Sequence, residues 1–142
     1  DFLIDLGGEL RSSGSHPAGR PWQVAVEDPR PGIEGAVDIL RLDNMSVATS
    51  GSRANSYTIG SRRYSHIIDP LTGEPVPGDL ASATVIAQNA MTADGWATAL
   101  FAAGAAKGPD LARRAGISAL FVRDDPAGLT RVITGSFGAF LA

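Results

Sequence analysis

Residues 80–104 read LASATVIAQNAMTADGWATALFAAG, and the hydrophobic period changes within this stretch. The first part, residues 80–87, is rich in Val, Ile and Thr and predicts a β-strand. The second part places small and apolar residues at i, i+4, i+7, i+8 and i+11, which is one face of a helix. These residues are Ala93, Ala97, Leu100, Phe101 and Gly104. Thr92 precedes them and is the predicted N-cap.

Short apolar runs bounded by Gly, Pro and Ser predict strands on both sides of this helix. They cover residues 2–6, 22–27, 36–42, 45–49, 57–59, 62–68, 117–123 and 129–133. Gly60-Ser61 and residues 124–128 supply turns for two hairpins, and residues 109–115 predict a second, short helix that Gly116 ends. The pattern predicts an α+β fold, a mostly antiparallel sheet with one main helix and a short second one.

Composition limits the classes of protein to which the chain belongs. Its 142 residues, 44% of them apolar, are enough for one domain with a hydrophobic core. The net charge of −3, from 12 basic and 15 acidic residues, gives no electrostatic reason to expect a nucleic acid partner. The absence of Cys excludes disulfides and thiolate metal sites.

Two features of the sequence concern membrane-spanning segments and the place of this chain in a larger protein. No apolar run approaches the roughly 18–20 residues of a membrane-spanning helix. The sequence opens on Phe2-Leu3-Ile4, with no initiator Met and no signal peptide, and we interpret it as the interior of a larger protein.

Asp94 and Thr98 are the candidate metal ligands. Their i, i+4 spacing places a carboxylate and a hydroxyl one above the other on a helix face. Such hard oxygens suit Mg²⁺, which keeps further positions for phosphates and water. The alternative is structural, because the helix dipole favours Asp in a first turn and a Thr hydroxyl can bond to a backbone carbonyl of its own helix.

His66 is the candidate general base. An imidazole titrates near neutral pH and can activate a hydroxyl nucleophile. Alternatively its ring is held within the following Pro-Gly turn by Asp69 or Thr72. His16, in a loop rich in Gly, Ser and Pro, is predicted to be solvated, and Trp22 and Trp96 to lie in the core or at its edge.

Two turns of small residues follow predicted strands. They are Gly7-Gly8-Glu9 and residues 48–52. Small residues let a phosphate or an isoalloxazine ring approach the backbone closely, but any tight hairpin needs them too. Neither turn has the spacing of a Rossmann or Walker loop.

Taken together and in order, seven segments resemble the C-terminal half of the ApbE family of FAD:protein FMN transferases. The segments are LGGELR (6–11), PWQV (21–24), EDPR (27–30), ATSG (48–51), HIIDPLTGEP (66–75), ATVIA (83–87) and ADGWATALF (93–101). The combination of HIIDPLTGEP and ADGWATALF in one sequence is highly specific for this family. The resemblance identifies residues 1–142 as the C-terminal portion of an ApbE-like domain.

The resemblance implies an activity and a location. Family members are Mg²⁺-dependent enzymes that split FAD, attach FMN to a Thr or Ser hydroxyl of an acceptor protein and release AMP. Some instead hydrolyse FAD to FMN and AMP. The acceptors belong to electron-transfer complexes. Family members work outside the cytoplasmic membrane, commonly as lipoproteins anchored through an N-terminal Cys.

The resemblance also assigns roles to single residues. By position in the motifs, Asp94 and Thr98 correspond to metal ligands and His66 to the catalytic base. The residues that correspond to the flavin nucleotide site are Gly7, Gly8, Thr84, Val85 and Ile86.

This sequence departs from the family pattern in three ways. Family members are much longer, and their N-terminal half supplies further FAD contacts and another metal ligand. The anchoring Cys is absent. After Ser50-Gly51 many members have an aromatic residue within two positions, whereas here the first is Tyr57. Transferase, FAD pyrophosphatase and non-catalytic flavin-binding remnant therefore remain the three alternatives.

Overall fold

The computed structural model describes residues 1–52, 56–60, 62–76 and 78–142. Its strands, in chain order, are β1 (Phe2–Leu6), β2 (Glu9–Ser13), β3 (Trp22–Glu27), β4 (Ala36–Leu42), β5 (Ser46–Gly51), β6 (Ser56–Ile59), β7 (Arg62–Ser65), β8 (Ser82–Ala87), β9 (Ser118–Asp125) and β10 (Gly128–Thr134). One helix, α1 (Ala90–Ala115), lies between β8 and β9, and a 3₁₀ turn (Phe137–Phe140) follows β10.

The main sheet has six strands among the described residues, in the order β1-β2-β5-β8-β9-β10. Every neighbouring pair in it is antiparallel. The β3–β4 and β6–β7 hairpins form two further sheets of two strands each. This arrangement confirms the predicted α+β fold with its mostly antiparallel sheet and one main helix.

Each face of the main sheet is covered by a different layer. Helix α1 packs on one face against β5, β8 and β9. On the other face, Val24 and Leu40 of the β3–β4 hairpin share a core cluster with Ile86 and Leu120 of the sheet. Side chains alternate along a strand, so Val85, next to Ile86, lies in the core under α1. Within the described ranges, no helix has the length and hydropathy that a membrane crossing requires.

Strand β2 was absent from the sequence prediction. Its sequence is ELRSS, in which Leu10 is the one strongly apolar residue, so no alternation of apolar and polar residues predicts a strand there. Its place comes from tertiary pairing, with β1 on one side and β5 on the other. Several other bounds shift: β5 and β8 begin at Ser46 and Ser82, and β7 ends at Ser65. Ser61, half of the predicted Gly60-Ser61 turn, lies outside the described residues.

The prediction of Thr92 as N-cap is wrong. Asn89 is the cap, and its side-chain oxygen accepts a hydrogen bond of 2.8 Å from the backbone N–H of Thr92. Asn is among the strongest N-cap residues because its short side chain reaches the third N–H of the helix. The helix therefore begins one turn earlier, at Ala90.

The two predicted helices form one element with a break at Gly104. The backbone there has φ 74° and ψ 177°, which is not helical, and the second segment continues to Ala115. A side chain is disfavoured at this φ. A Cβ on Gly104 would also lie 3.4 Å from the carboxylate of Asp79. Gly116 ends the helix in the left-handed conformation, as predicted, and its N–H bonds to the carbonyls of Ala112 and Arg113.

Candidate active site

A cleft of about 820 Å³ lies where β5 ends and β8 begins. One wall is the β1–β2 hairpin, and a second is β3 with the segment after it, as far as Pro29. His66 and Ile67, which follow β7, line a third side, and Asp94 and Thr98 of α1 line the fourth. Residues far apart in sequence therefore meet at one end of the main sheet.

The two candidate metal ligands lie on the exposed side of α1, in its first segment. Asp94 and Thr98 both line the cleft and are both solvent-exposed. The hydroxyl of Thr98 lies 3.0 Å from the hydroxyl of Ser50 on β5, within hydrogen-bond distance. The sequence interpretation did not include Ser50 among the site residues, although it lies in the Ala48-Thr49-Ser50-Gly51 motif. Three hard oxygen donors are thus available on the helix side of the cleft.

These donors fit part of a Mg²⁺ site. Among the described residues, no group of three or more His, Asp or Glu side chains is placed to hold a metal ion by itself. Mg²⁺ is usually bound through one or two carboxylates, with phosphate oxygens and water completing its octahedron. The carboxylate of Asp94 with the hydroxyl of Thr98 matches such an incomplete donor set. Their role as metal ligands stays a prediction.

His66 is exposed and lines the cleft just after β7. The turn that follows is closed by its own backbone and side chains. Asp69 Oδ1 accepts a hydrogen bond of 2.8 Å from the N–H of Leu71, and Thr72 Oγ1 accepts one of 3.2 Å from Glu74. The two side chains considered as partners of the imidazole therefore accept hydrogen bonds from the turn. The role of His66 as base stays a prediction.

Gly7 and Gly8 form the tip of the β1–β2 hairpin and line the cleft. Their φ angles are 72° and 107°, which favour glycine at both positions of a two-residue hairpin turn. The N–H of Gly8 donates to the carboxylate of Asp5 at 2.9 Å. The turn has a structural reason for its glycines, and its position at the cleft keeps the predicted nucleotide contact open.

Thr84, Val85 and Ile86, predicted to belong to the flavin nucleotide site, lie inside the main sheet. All three are buried in β8, which is hydrogen-bonded to β5 and β9 on its two sides. The Thr84 hydroxyl lies 2.8 Å from that of Thr49, and Val85 and Ile86 belong to the two core clusters. None of the three lines the cleft. The side chains of this central strand pack in the two cores, and the assignment of the three residues to the nucleotide site stays a prediction.

A carboxylate–guanidinium pair shapes the cleft wall after β3. The buried side chain of Asp28 accepts hydrogen bonds from Arg30 at its backbone N (2.9 Å), Nε (3.0 Å) and Nη2 (2.7 Å). The hydrogen bond with Asp28 raises the pKa of the Arg30 guanidinium above its ordinary value. This two-pronged pair fixes the backbone around Pro29, a wall residue. The Glu-Asp-Pro-Arg motif at residues 27–30 was the only indication of this pair in the sequence analysis.

The remaining aromatic predictions have mixed outcomes. His16 is not simply solvated: its Nδ1 accepts a hydrogen bond of 3.1 Å from Ala18, and its ring packs edge-on against Trp22, with centroids 5.1 Å apart. Trp22 and Trp96 are partly buried against the two core clusters, which confirms their predicted place.

The sequence profile of the ApbE family matches residues 1–121. The chain belongs to the ApbE family. Among curated ApbE relatives, it is 36% identical to the FAD:protein FMN transferase of Salmonella typhimurium, over 99% of this chain and 40% of that protein. It is 38% identical to the FAD:protein FMN transferase of Haemophilus influenzae, over 92% of this chain and 38% of that protein.

Solved ApbE structures share the fold. The flavinyl transferase ApbE of Pseudomonas stutzeri, in its apo form, superposes with a TM-score of 0.82 at 40% identity, over 97% of this chain and 42% of that one. The ApbE protein of Thermotoga maritima gives a TM-score of 0.85 at 32% identity, over 99% and 45%. The chain thus spans well under half the length of the ApbE proteins that it matches.

Proposed function

We propose that this chain is the part of an FAD:protein FMN transferase that carries the catalytic base and two metal ligands. The reaction moves FMN from FAD to a Thr or Ser hydroxyl of an acceptor protein and releases AMP. The observation that carries the proposal is the meeting of His66, Asp94 and Thr98 at one cleft. Membership of the family and the names of its curated relatives supply the reaction class.

His66 accepts the proton of the acceptor hydroxyl in this proposal. A Thr or Ser hydroxyl is a weak nucleophile at its free pKa, so a neighbouring base is needed. As the proton moves to the imidazole, the hydroxyl oxygen bonds to the phosphorus of the FMN moiety. The bond from that phosphorus to the bridging oxygen breaks, and AMP leaves with this oxygen. The solvent exposure of His66 leaves room for a protein segment to approach it.

Asp94 and Thr98 would hold Mg²⁺, with Ser50 positioning the hydroxyl of Thr98. When bound, the ion supplies positive charge that offsets the charge of pyrophosphate oxygens. The protein's own contribution on this side is to fix two oxygens on a rigid helix turn next to the sheet. That arrangement agrees with phosphoryl transfer, in which positioning and charge do most of the work.

We further propose that the acceptor belongs to an electron-transfer complex and that the protein works outside the cytoplasmic membrane. Both proposals rest on the family resemblance alone. Cell fractionation with an antibody against the full-length protein tests the location. Recovery in the cytoplasmic fraction would contradict it.

The decisive assay uses the full-length protein with FAD, Mg²⁺ and a peptide that carries the acceptor Thr. Covalent flavin on the peptide, with one AMP per flavin, supports the transferase. Free FMN and AMP, with no labelled peptide, would instead identify an FAD pyrophosphatase. FAD binding without either product would identify a flavin-binding remnant. A peptide with Thr→Val at the acceptor position is the control, since it removes only the nucleophile.

A further inference from the structure

Ser82 carries a buried hydroxyl for which the described part of the chain offers no hydrogen-bond partner. The residue is 3% exposed. Burying an unpaired hydroxyl is unfavourable, and nearly all buried polar groups in native proteins have a partner. An orphaned hydroxyl of this kind calls for an explanation, and where the residue borders a cleft a bound ligand can supply the missing partner.

Ser82 also lines the cleft. It is the first residue of β8 and pairs in register with Gly51, the last residue of β5. A Cβ on Gly51 would lie 3.0 Å from the carbonyl oxygen of Ala81 and 3.3 Å from Cβ of Ser82. The absence of a side chain at Gly51 therefore keeps β5 and β8 close at the floor of the cleft, where the hydroxyl lies.

The strand register places Ser82 away from the proposed metal ligands. Ser82, Thr84 and Ile86 share one face of β8, because side chains alternate along a strand. Ile86 packs in the core on the β3–β4 side, so Ser82 points to that side too. Asp94 and Thr98 belong to α1, which covers the opposite face of the sheet. Phosphates bound near those ligands would therefore lie on the α1 side of the main sheet, whereas Ser82 lies on the β3–β4 side.

The surroundings of Ser82 suit a flat, uncharged ring. Leu3, Leu10 and Val24 line the same cleft and pack in the core cluster on the side to which Ser82 points. Small-molecule sites commonly combine such apolar walls with a few polar groups that fix orientation. A hydroxyl can both donate and accept a hydrogen bond, which suits the carbonyls and ring nitrogens of a heterocycle.

We propose that the Ser82 hydroxyl hydrogen-bonds the edge of one ring system of FAD and so positions the dinucleotide across the end of the sheet. The proposal rests on the proposed function, since it takes FAD as the substrate. Ser82 is a positioning residue here: it orients the ring and does not touch the phosphorus that reacts. The partner missing from the free protein is then supplied by the bound ring.

Ser46 provides a matched control within the same pair of strands. It lies at the other end of β5, opposite Ala87, and its hydroxyl is likewise buried and without a partner among the described residues. Ser46 does not line the cleft. Ser46→Ala and Ser82→Ala therefore remove the same chemical group from similar surroundings, and they differ in access to the ligand.

The test measures FAD affinity by titration calorimetry on the full-length protein and on these two variants. We expect Ser82→Ala to raise the Kd for FAD by about 3- to 10-fold, the effect of one neutral hydrogen bond, and Ser46→Ala to leave it unchanged. Without ligand, Ser82→Ala should melt at the same temperature as the parent or higher, because an unpaired hydroxyl is lost. The rise in Tm on adding FAD should be smaller in Ser82→Ala.

Two fragment ligands identify the ring. Weaker binding of riboflavin by Ser82→Ala assigns the contact to the isoalloxazine, and weaker binding of AMP assigns it to the adenine. Lost FAD affinity with both fragments unaffected would overturn the assignment to a ring. Unchanged FAD affinity, or a lower Tm of ligand-free Ser82→Ala, would overturn the proposal while the transferase function stands. A parent protein that does not bind FAD would overturn both.

Discussion

The hydroxyls of Ser50 and Thr98 lie 3.0 Å apart and join the end of β5 to the first segment of α1. The contact spans 48 positions in the sequence and lies at the edge of the cleft. It gives the Thr98 hydroxyl a hydrogen-bond partner on the sheet. Because ligand geometry depends on such supporting partners, this contact links the sheet to the proposed metal site.

Removing the partner of Thr98 should weaken metal binding. We expect Ser50→Ala to lower the apparent affinity for Mg²⁺ by about 10-fold, as the loss of a supporting partner typically does. The measurement is the Mg²⁺ dependence of FMN transfer. Ser136→Ala is the control, because Ser136 shares a hydroxyl–hydroxyl contact of 2.9 Å with Ser118 outside the cleft. Equal Mg²⁺ dependence in both variants would argue against a supporting role for Ser50.

The carboxylate of Asp94 should matter more than the hydroxyl of Thr98. Asp94→Ala is expected to abolish Mg²⁺-dependent turnover with the fold intact, and Thr98→Ala to be milder, since a neutral oxygen contributes less than a charged one. Asp110→Ala, an exposed Asp in the second segment of α1, is the control. Rates at limiting Mg²⁺ and circular dichroism measure both effects. Unimpaired transfer by Asp94→Ala would exclude the assignment.

The base role of His66 predicts a large effect on rate and a small one on binding. His66→Ala should slow FMN transfer by roughly 10²–10⁴-fold. Its affinity for FAD should change little. Because a general base acts only in its proton-accepting form, the pH–rate profile of the parent protein should differ from that of His66→Ala. The measurements are single-turnover rates across pH and FAD titrations.

The second histidine supplies the control for this experiment. His16→Asn keeps a side-chain acceptor for the N–H of Ala18 and lies away from the cleft. It should leave the pH–rate profile unchanged. A His66→Ala variant with the parental pH profile would mean that His66 is structural.

The edge strand β1 carries an exposed apolar row. Leu3 packs toward the β3–β4 core, so Phe2, Ile4 and Leu6 point to the other face, where they are 43%, 46% and 73% exposed. Exposed apolar edges favour pairing with other chains. We expect the 142-residue chain, expressed by itself, to self-associate, and Ile4→Lys to reduce this association.

Sedimentation velocity tests this prediction. Ile33→Lys is the control, because Ile33 is 42% exposed but lies in the loop between β3 and β4. It should associate as the parent chain does. A parent chain that sediments as a clean monomer would refute the prediction.

Local sequence determined much of the fold and part of the cleft. The spacing from Ala93 to Phe101 identified the buried helix face correctly, because helical periodicity is a short-range property. Strand β2 was missed, because its one strong apolar residue, Leu10, gives no alternation and its pairing is long-range. The orphaned hydroxyl of Ser82 was equally invisible, since a hydrogen bond that is missing can be identified only once the neighbours are in place.

The break at Gly104 has a consequence for the local unfolding of α1. Helical hydrogen bonds form a continuous ladder only while each residue keeps helical angles, and Gly104 departs from them. We therefore expect the two segments of α1 to act as separate cooperative units in amide hydrogen exchange. On this expectation, the segment that ends at Ala115 should fray and exchange its amide protons while the turn that carries Asp94 and Thr98 stays protected.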